Sequence, residues 1–282
     1  MRRLLILPTL LCLVACERVV DITVPDGPVQ LVVEARLESV RGAPSGRQRV
    51  RLTTTAPYFR NAPTPPATGA TVTVTDDAGR TTVLREAAGE PGSYITDSLV
   101  AATNRSYTLR VLWEGDRYES TETLLPVAPI DSLYFRGPRA SSPASAGLRA
   151  TTDLRDPAGT TNYYLWDQFI DGVRLVASDT VFRFRVVDSD QFYDGRRLRG
   201  FQPYEAICVS SGQQIIMRQL SISANAFRYY SALNDQVNGD GSPFSVPPAS
   251  LRGNVVNLTR PDRRALGYFI ASEVAEARGR VP

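Results

Sequence analysis

Leu31, Val33, Ala35 and Leu37 alternate with Val32, Glu34, Arg36 and Glu38, which is the two-residue period of a strand with one face buried. The pattern recurs at short intervals. Val50 and Leu52 alternate with Arg49, Arg51 and Thr53, and Val72 and Val74 alternate with threonines. Val83, Tyr94, the run Tyr107, Leu109, Val111, Trp113 and the stretch 118–123 continue it. About seven strands in about 95 residues, with turn residues between them, predict an antiparallel sandwich of immunoglobulin-like type over 29–125. Asp76-Asp77-Ala78-Gly79 joins two of these strands. Paired aspartates beside a glycine suit calcium, but a hairpin needs the same residues for its positive φ, and the hairpin is the reading taken.

The connection from Thr55 to Gly69 is too long for a hairpin. Pro57, Pro63, Pro65 and Pro66 predict that it adds nothing to a ladder. Tyr58, Phe59, Arg60 and Asn61 place aromatic rings beside a guanidinium, the composition of a binding surface on a long loop. The same residues also suit a cap on the open end of the sandwich. Pro126-Val127-Ala128-Pro129 ends the pattern and predicts a stiff linker over 126–129.

A second β-sandwich is expected over 130–282, with strands near 133–135, 148–154, 163–170, 181–187, 215–222, 254–258 and 266–275. In the third of these, Tyr164 and Trp166 share one face and Tyr163, Leu165 and Phe169 the other. The strand is therefore read as central and buried rather than as a sugar-stacking platform. One helix is predicted over about 223–238, with Ser223 as N-cap, Ala226, Tyr230, Leu233 and Val237 on one face, and Asn238-Gly239 as its stop. Asn234, Asp235, Asn238 and Asp240 lack the ordered spacing and closing Glu of a calcium loop. Gly241 to Pro248 is a second proline-rich loop, and its isolated Phe244 joins Tyr58 to Asn61 as a candidate ligand or partner contact. The fold class expected is mainly β: two antiparallel β-sandwich domains, the first immunoglobulin-like, with one short helix in the second.

The start of the chain speaks to location. Arg2 and Arg3 followed by Leu4 to Val14 form the charged and apolar parts of an export signal, too short to span a bilayer and interrupted by Pro8. Its ending, Leu13-Val14-Ala15-Cys16, resembles the bacterial lipobox. That makes 1–15 a signal peptide, Cys16 the site of diacylglycerol attachment and 16–28 a tether, with membrane lipid as the first expected partner.

Composition narrows the chemistry. Without Arg2 and Arg3, thirty basic residues face twenty-nine acidic ones, a balance without the basic surplus of a nucleic-acid binder. Every basic residue is Arg, and there is no His. Ser-His-Asp and Cys-His nucleophile systems, Schiff-base lysines and histidine metal sites are thereby closed off. No catalytic residue, metal ligand or cofactor is assigned. Cys12 leaves with the signal and Cys16 is the lipid site, so Cys208 stands alone in the mature chain.

Several short segments, taken in order, are similar to a Bacteroidota outer-membrane lipoprotein family of unknown function, DUF4249. They are Gln30 to Glu34, Thr55 to Phe59, Pro129 to Leu133, Tyr229-Tyr230, Gly241 to Phe244, Val246 to Pro248 and Gly267-Tyr268-Phe269. The resemblance implies an outer-membrane lipoprotein, often encoded beside a TonB-dependent transporter, and it carries no catalytic residues.

Three functions follow from the sequence. The first is a non-enzymatic lipoprotein that binds a ligand or partner as an accessory to a TonB-dependent transporter. The second is a structural or adhesion protein of the envelope, in which Cys208 could bridge two chains. The third is a glycoside hydrolase working with paired carboxylates, for which Asp153 with Asp156, or Asp188 with Asp190 and Asp194, are the groups to consider.

Overall fold

A computed structural model describes residues 27–57, 63–138, 146–175, 185–237 and 251–282. The first half forms β1 (Leu31–Val40), β2 (Gln48–Thr54), β3 (Thr71–Asp76), β4 (Thr81–Glu86), β5 (Ser93–Thr96), β6 (Arg105–Trp113) and β7 (Asp116–Leu124). The second half forms β8 (Ile130–Arg136), β9 (Arg149–Arg155), β10 (Tyr163–Ile170), β11 (Val173–Arg174), β12 (Val186–Ser189), β13 (Arg197–Phe201) and β14 (Gln214–Ser221). It continues through α1 (Ala224–Val237), β15 (Val256–Asn257) and β16 (Leu266–Arg280). The protein is mainly β with one α-helix among the described residues, as the hydrophobic pattern predicts.

Alternation sets the orientation of β1. Leu31, Val33, Ala35 and Leu37 share one core with Val72, Val74, Leu109 and Val111 of β3 and β6, while Glu34 and Arg36 point to the opposite face. β4 pairs through 81–84 with β3 and through 85–86 with β5, which carries the ladder around that core. The turn before β4 is the expected hairpin: Asp76 Oδ1 accepts the N–H groups of Ala78 and Arg80, and Gly79 adopts φ +81°.

The large sheet is mixed rather than antiparallel throughout. β16 runs parallel to β1 from Val32↔Leu266 to Val40↔Val274 and antiparallel to β14 from Leu220↔Val274 to Gln214↔Arg280. With 15 residues, β16 is long enough to serve both neighbours. One ladder therefore runs β11-β10-β14-β16-β1-β2-β5-β4-β3-β6-β7-β15, across both expected sandwiches. The segment expected as a linker lies against this ladder. Val127 and Ala128 are buried, the Val127 N–H donates to Glu273 (2.8 Å) and its carbonyl accepts from Arg41 (3.1 Å).

The second half also has a second layer, in which β8 and β9 fall where strands were expected and β13 is an addition. A separate sheet, β13-β9-β8, covers one face of the β10-β14-β16 region, where Ala150 and Leu154 share a core with Tyr164, Trp166, Ile215 and Met217. The other face is covered by α1, whose Ala226 and Tyr230 join Leu165, Leu220, Ile270 and Val274. β10 is thus buried on both faces, as its sequence predicts. Ser223 caps α1 by accepting the Ala226 N–H at 3.2 Å.

The proline-rich connection after β2 departs from expectation. Thr54 donates its N–H to the Pro65 carbonyl (2.9 Å), Ala67 donates to Leu52 (3.0 Å), and Thr53 bridges to Pro66. Proline lacks an N–H but keeps its carbonyl, so it can join an edge as an acceptor. The return leg of the loop does so.

The β1–β16 seam requires a residue without Cβ. Gly267 has φ +87°, and a Cβ there would lie 2.1 Å from the Val33 carbonyl oxygen. Gly267→Ala is expected to lower the free energy of unfolding by about 3 kcal/mol, since it combines left-handed strain with a backbone clash. A urea midpoint equal to the wild type's would contradict this placement of the seam.

Candidate ligand-binding cavity

The face of β1 turned away from the first core carries Glu34, Arg36 and Glu38, and β2 extends it with Arg49 and Arg51. β10 contributes Asp167 and Phe169, and β14 contributes Arg218. Over these strands lies α1, which presents Tyr229, Tyr230 and Leu233. Together with Arg174 and Arg185 they enclose a cavity of about 810 Å³, a volume typical of a small-molecule site.

Asp167 sits at its inner end. Its Oδ2 accepts from Arg36 Nη1 at 2.6 Å and its Oδ1 from Arg174 Nη2 at 2.5 Å. Burial pushes this carboxyl up, but the two guanidiniums outweigh it and hold it at about 2. Farther along the wall, Arg218 Nη2 donates to Glu38 at 2.6 Å, with Glu276 3.4 Å from its Nε. α1 positions the backbone of Arg185: Asn234 Oδ1 accepts the Arg185 N–H (2.8 Å) and Asn234 Nδ2 donates to the Arg185 carbonyl (2.7 Å). Burial, followed by the charges of Arg174 and Arg36, moves the Arg185 guanidinium below its ordinary range. Burial also pushes the Tyr229 phenol up to about 12, so it is neutral at physiological pH.

Cys16, Tyr58, Phe59, Arg60, Asn61 and Phe244, the residues singled out from the sequence, lie outside the described residues. The carboxylates considered for glycoside hydrolysis are described. Asp156, Asp190 and Asp194 converge, with one oxygen of each within 4.8 Å of the others. Each closes a loop: Asp156 accepts from Tyr164 (2.6 Å) and the Gly195 N–H (3.2 Å), Asp190 from the Asn162 N–H (2.7 Å), and Asp194 from the Gly159 N–H (2.8 Å). Asp153 accepts from Tyr134 and Gly200, and Asp188 from Tyr193. The Asp156 and Asp194 bonds tie the segment after β9 to the turn before β13.

Sequence reasoning passed over the cavity residues. Arginines alternating with apolar residues read as an outward, solvated face, and only a ladder of distant strands covered by a helix turns them inward. Asp167 did leave a signal, because it is an acid between Leu165 and Phe169 on one face of a strand read as buried on both faces, a setting that requires a cationic partner.

Among the described residues, no helix is long and apolar enough to cross a membrane. A family model described as a domain of unknown function, DUF4249, matches residues 17–278. No curated protein matches the chain.

Because the Asp167 carboxyl is held below its ordinary 3.8, its contribution to stability is present above that value and is lost as pH falls towards 2. Asp167→Asn is expected to flatten stability against pH between those limits. At neutral pH it should cost about 3 kcal/mol, since it leaves two inward guanidiniums without their carboxylate. Urea unfolding at a series of pH values measures both effects, and an unchanged slope would refute the assignment.

Proposed function

The chain therefore belongs to the DUF4249 family, and on that premise we propose that it is a non-enzymatic, lipid-anchored outer-membrane protein that binds a ligand or partner as an accessory to a TonB-dependent transporter. The observation that carries the binding role is the cavity of about 810 Å³ under α1. Its one buried carboxylate is held ionised between two arginines, which suits it to fixing cations and not to exchanging protons. The anchoring role rests on Leu13-Val14-Ala15-Cys16 and the arginine-headed apolar run before it. Two acyl chains on one cysteine would hold the protein at the bilayer.

Two experiments bear on this reading. Cys16→Ala is expected to move the protein from the membrane fraction to the soluble fraction, and retention in the membrane would refute the lipid anchor. Mild extraction of the lipidated protein from its own membrane is expected to recover a TonB-dependent barrel in stoichiometric amount. Replacing Tyr58, Phe59, Arg60 and Asn61 by Ala should abolish that recovery without shifting thermal unfolding. Recovery of only the protein itself, or of an envelope scaffold, would favour the structural reading, and equal destabilisation would place the four residues in a core.

A further inference from the structure

Seven arginines line the cavity, Arg36, Arg47, Arg49, Arg51, Arg174, Arg185 and Arg218, against three acids, Glu34, Glu38 and Asp167. Glu90 and Glu276 approach Arg49 and Arg218 from beyond the wall, which among the described residues still leaves cations in excess. The imbalance is sharpest at the inner end. There the two carboxylate oxygens of Asp167 are taken by Arg36 and Arg174, and Arg185 adds a third guanidinium. Arg36 Nη2 and Arg174 Nε are buried donors that meet no acceptor among the described residues. Buried donors of this kind favour an anion that supplies the missing oxygens.

The side towards α1 has a different character. Tyr229 and Leu233 of α1, with Leu266 and Tyr268 of β16, give it apolar and aromatic surface. The Tyr229 and Tyr268 rings pack at 4.8 Å between centroids, and Tyr230 leads from them to the arginine cluster. A ligand matching both walls carries an acid group at one end and an apolar or ring-bearing body at the other. Guanidinium forks match the two-oxygen edge of a carboxylate or a phosphate.

We propose that this cavity binds a small organic oxyanion, with its carboxylate or phosphate held by Arg36, Arg174 and Arg185 and its apolar body lying against the aromatic wall beneath α1. Tyr230, which stands among the same charged groups, is placed to donate its hydroxyl to the bound oxyanion.

The inference rests on the cavity being a binding site, as proposed above, and its test separates the two. The full chain, purified in a neutral detergent, is titrated by calorimetry with phenylacetate, phenyl phosphate and phenylacetamide at matched ionic strength. These probes share a ring and differ in the head group. Saturable binding of phenylacetate, phenyl phosphate or both is expected, without binding of the amide, and the stronger of the two acids identifies the carboxylate or the phosphate source. Arg185→Gln should weaken the preferred acid about tenfold or more. Tyr230→Phe, which removes one hydroxyl and leaves the ion pairs in place, should weaken it by a smaller factor and keeps the test open should the arginine variant fail to fold. Binding of the amide as tightly as the acids overturns the inference and leaves the cavity-binding reading standing. So does acid binding that is unchanged in both variants, which places the anion elsewhere. If no probe binds, the inference is overturned, and recovery of the transporter from the membrane then decides the accessory role by itself.

Discussion

The parallel pairing of β1 with β16 is the constraint on which the remaining structure depends. It joins residue 32 to residue 266 and residue 40 to residue 274, so nearly the whole chain lies between its two sides. A parallel pair cannot be closed by a hairpin, and here the crossover contains almost every other element. Once β16 is seated, its far end pairs with β14, and β14 with β10. The sheet face begun by β1 thus continues to Asp167. Arg36 and Asp167 are 131 positions apart in sequence, yet their side chains meet at 2.6 Å. Gly267 belongs to the same constraint: its missing side chain lets β16 approach the Val33 carbonyl.

The ion pairs that result are a poor explanation of stability. Two charges withdrawn from water lose hydration that their attraction only partly restores, and well-packed apolar residues would serve a core as well or better. Arg36–Asp167–Arg174 and Arg218–Glu38 instead lie together along one wall, opposite aromatic residues. Groups that contribute little net stability but occupy one concave surface are more simply explained by what they hold in position. Asp167 fixes two guanidiniums in the same way that a carboxylate behind a metal ligand fixes the ligand's orientation.

Most strands were legible because their burial follows the two-residue period. β1 reads Leu31, Val33, Ala35, Leu37, and these side chains are the ones buried. β13 was not legible: Arg197-Leu198-Arg199-Gly200-Phe201 has charge where a core strand has none and a glycine where a strand is weakened. It pairs only through a register shift against β9. The helix was legible from its cap and spacing, but its role as a cover was not, since nothing local states which sheet an apolar stripe will meet. The parallel seam and the arginine cavity share that limitation. Both arise from register between segments more than a hundred residues apart, whereas alternation reports only the two faces of a single strand. Proline misled for a narrower reason. It was read as a missing donor, although Pro65 serves β2 as an acceptor.

The position of α1 follows from polar bonds at its two ends as well as from its stripe. At its N-terminus, Glu122 of β7 accepts from Ser223 (3.4 Å), Asn254 (2.9 Å) and Tyr268 (3.1 Å), tying the helix cap to the first half, to the segment before β15 and to β16. Burial raises the Glu122 carboxyl, and the three donors oppose that shift. A group with a raised folded-state value stabilises the fold most at acid pH and less as the pH climbs through that value. Towards the C-terminus, Asn234 locks the backbone of Arg185 by a reciprocal pair of hydrogen bonds. The two anchors lie about three turns apart and grip different parts of the molecule. Between them the tyrosines of α1 are set above the arginines, so the same bonds that seat the helix also fix what faces the charged strands.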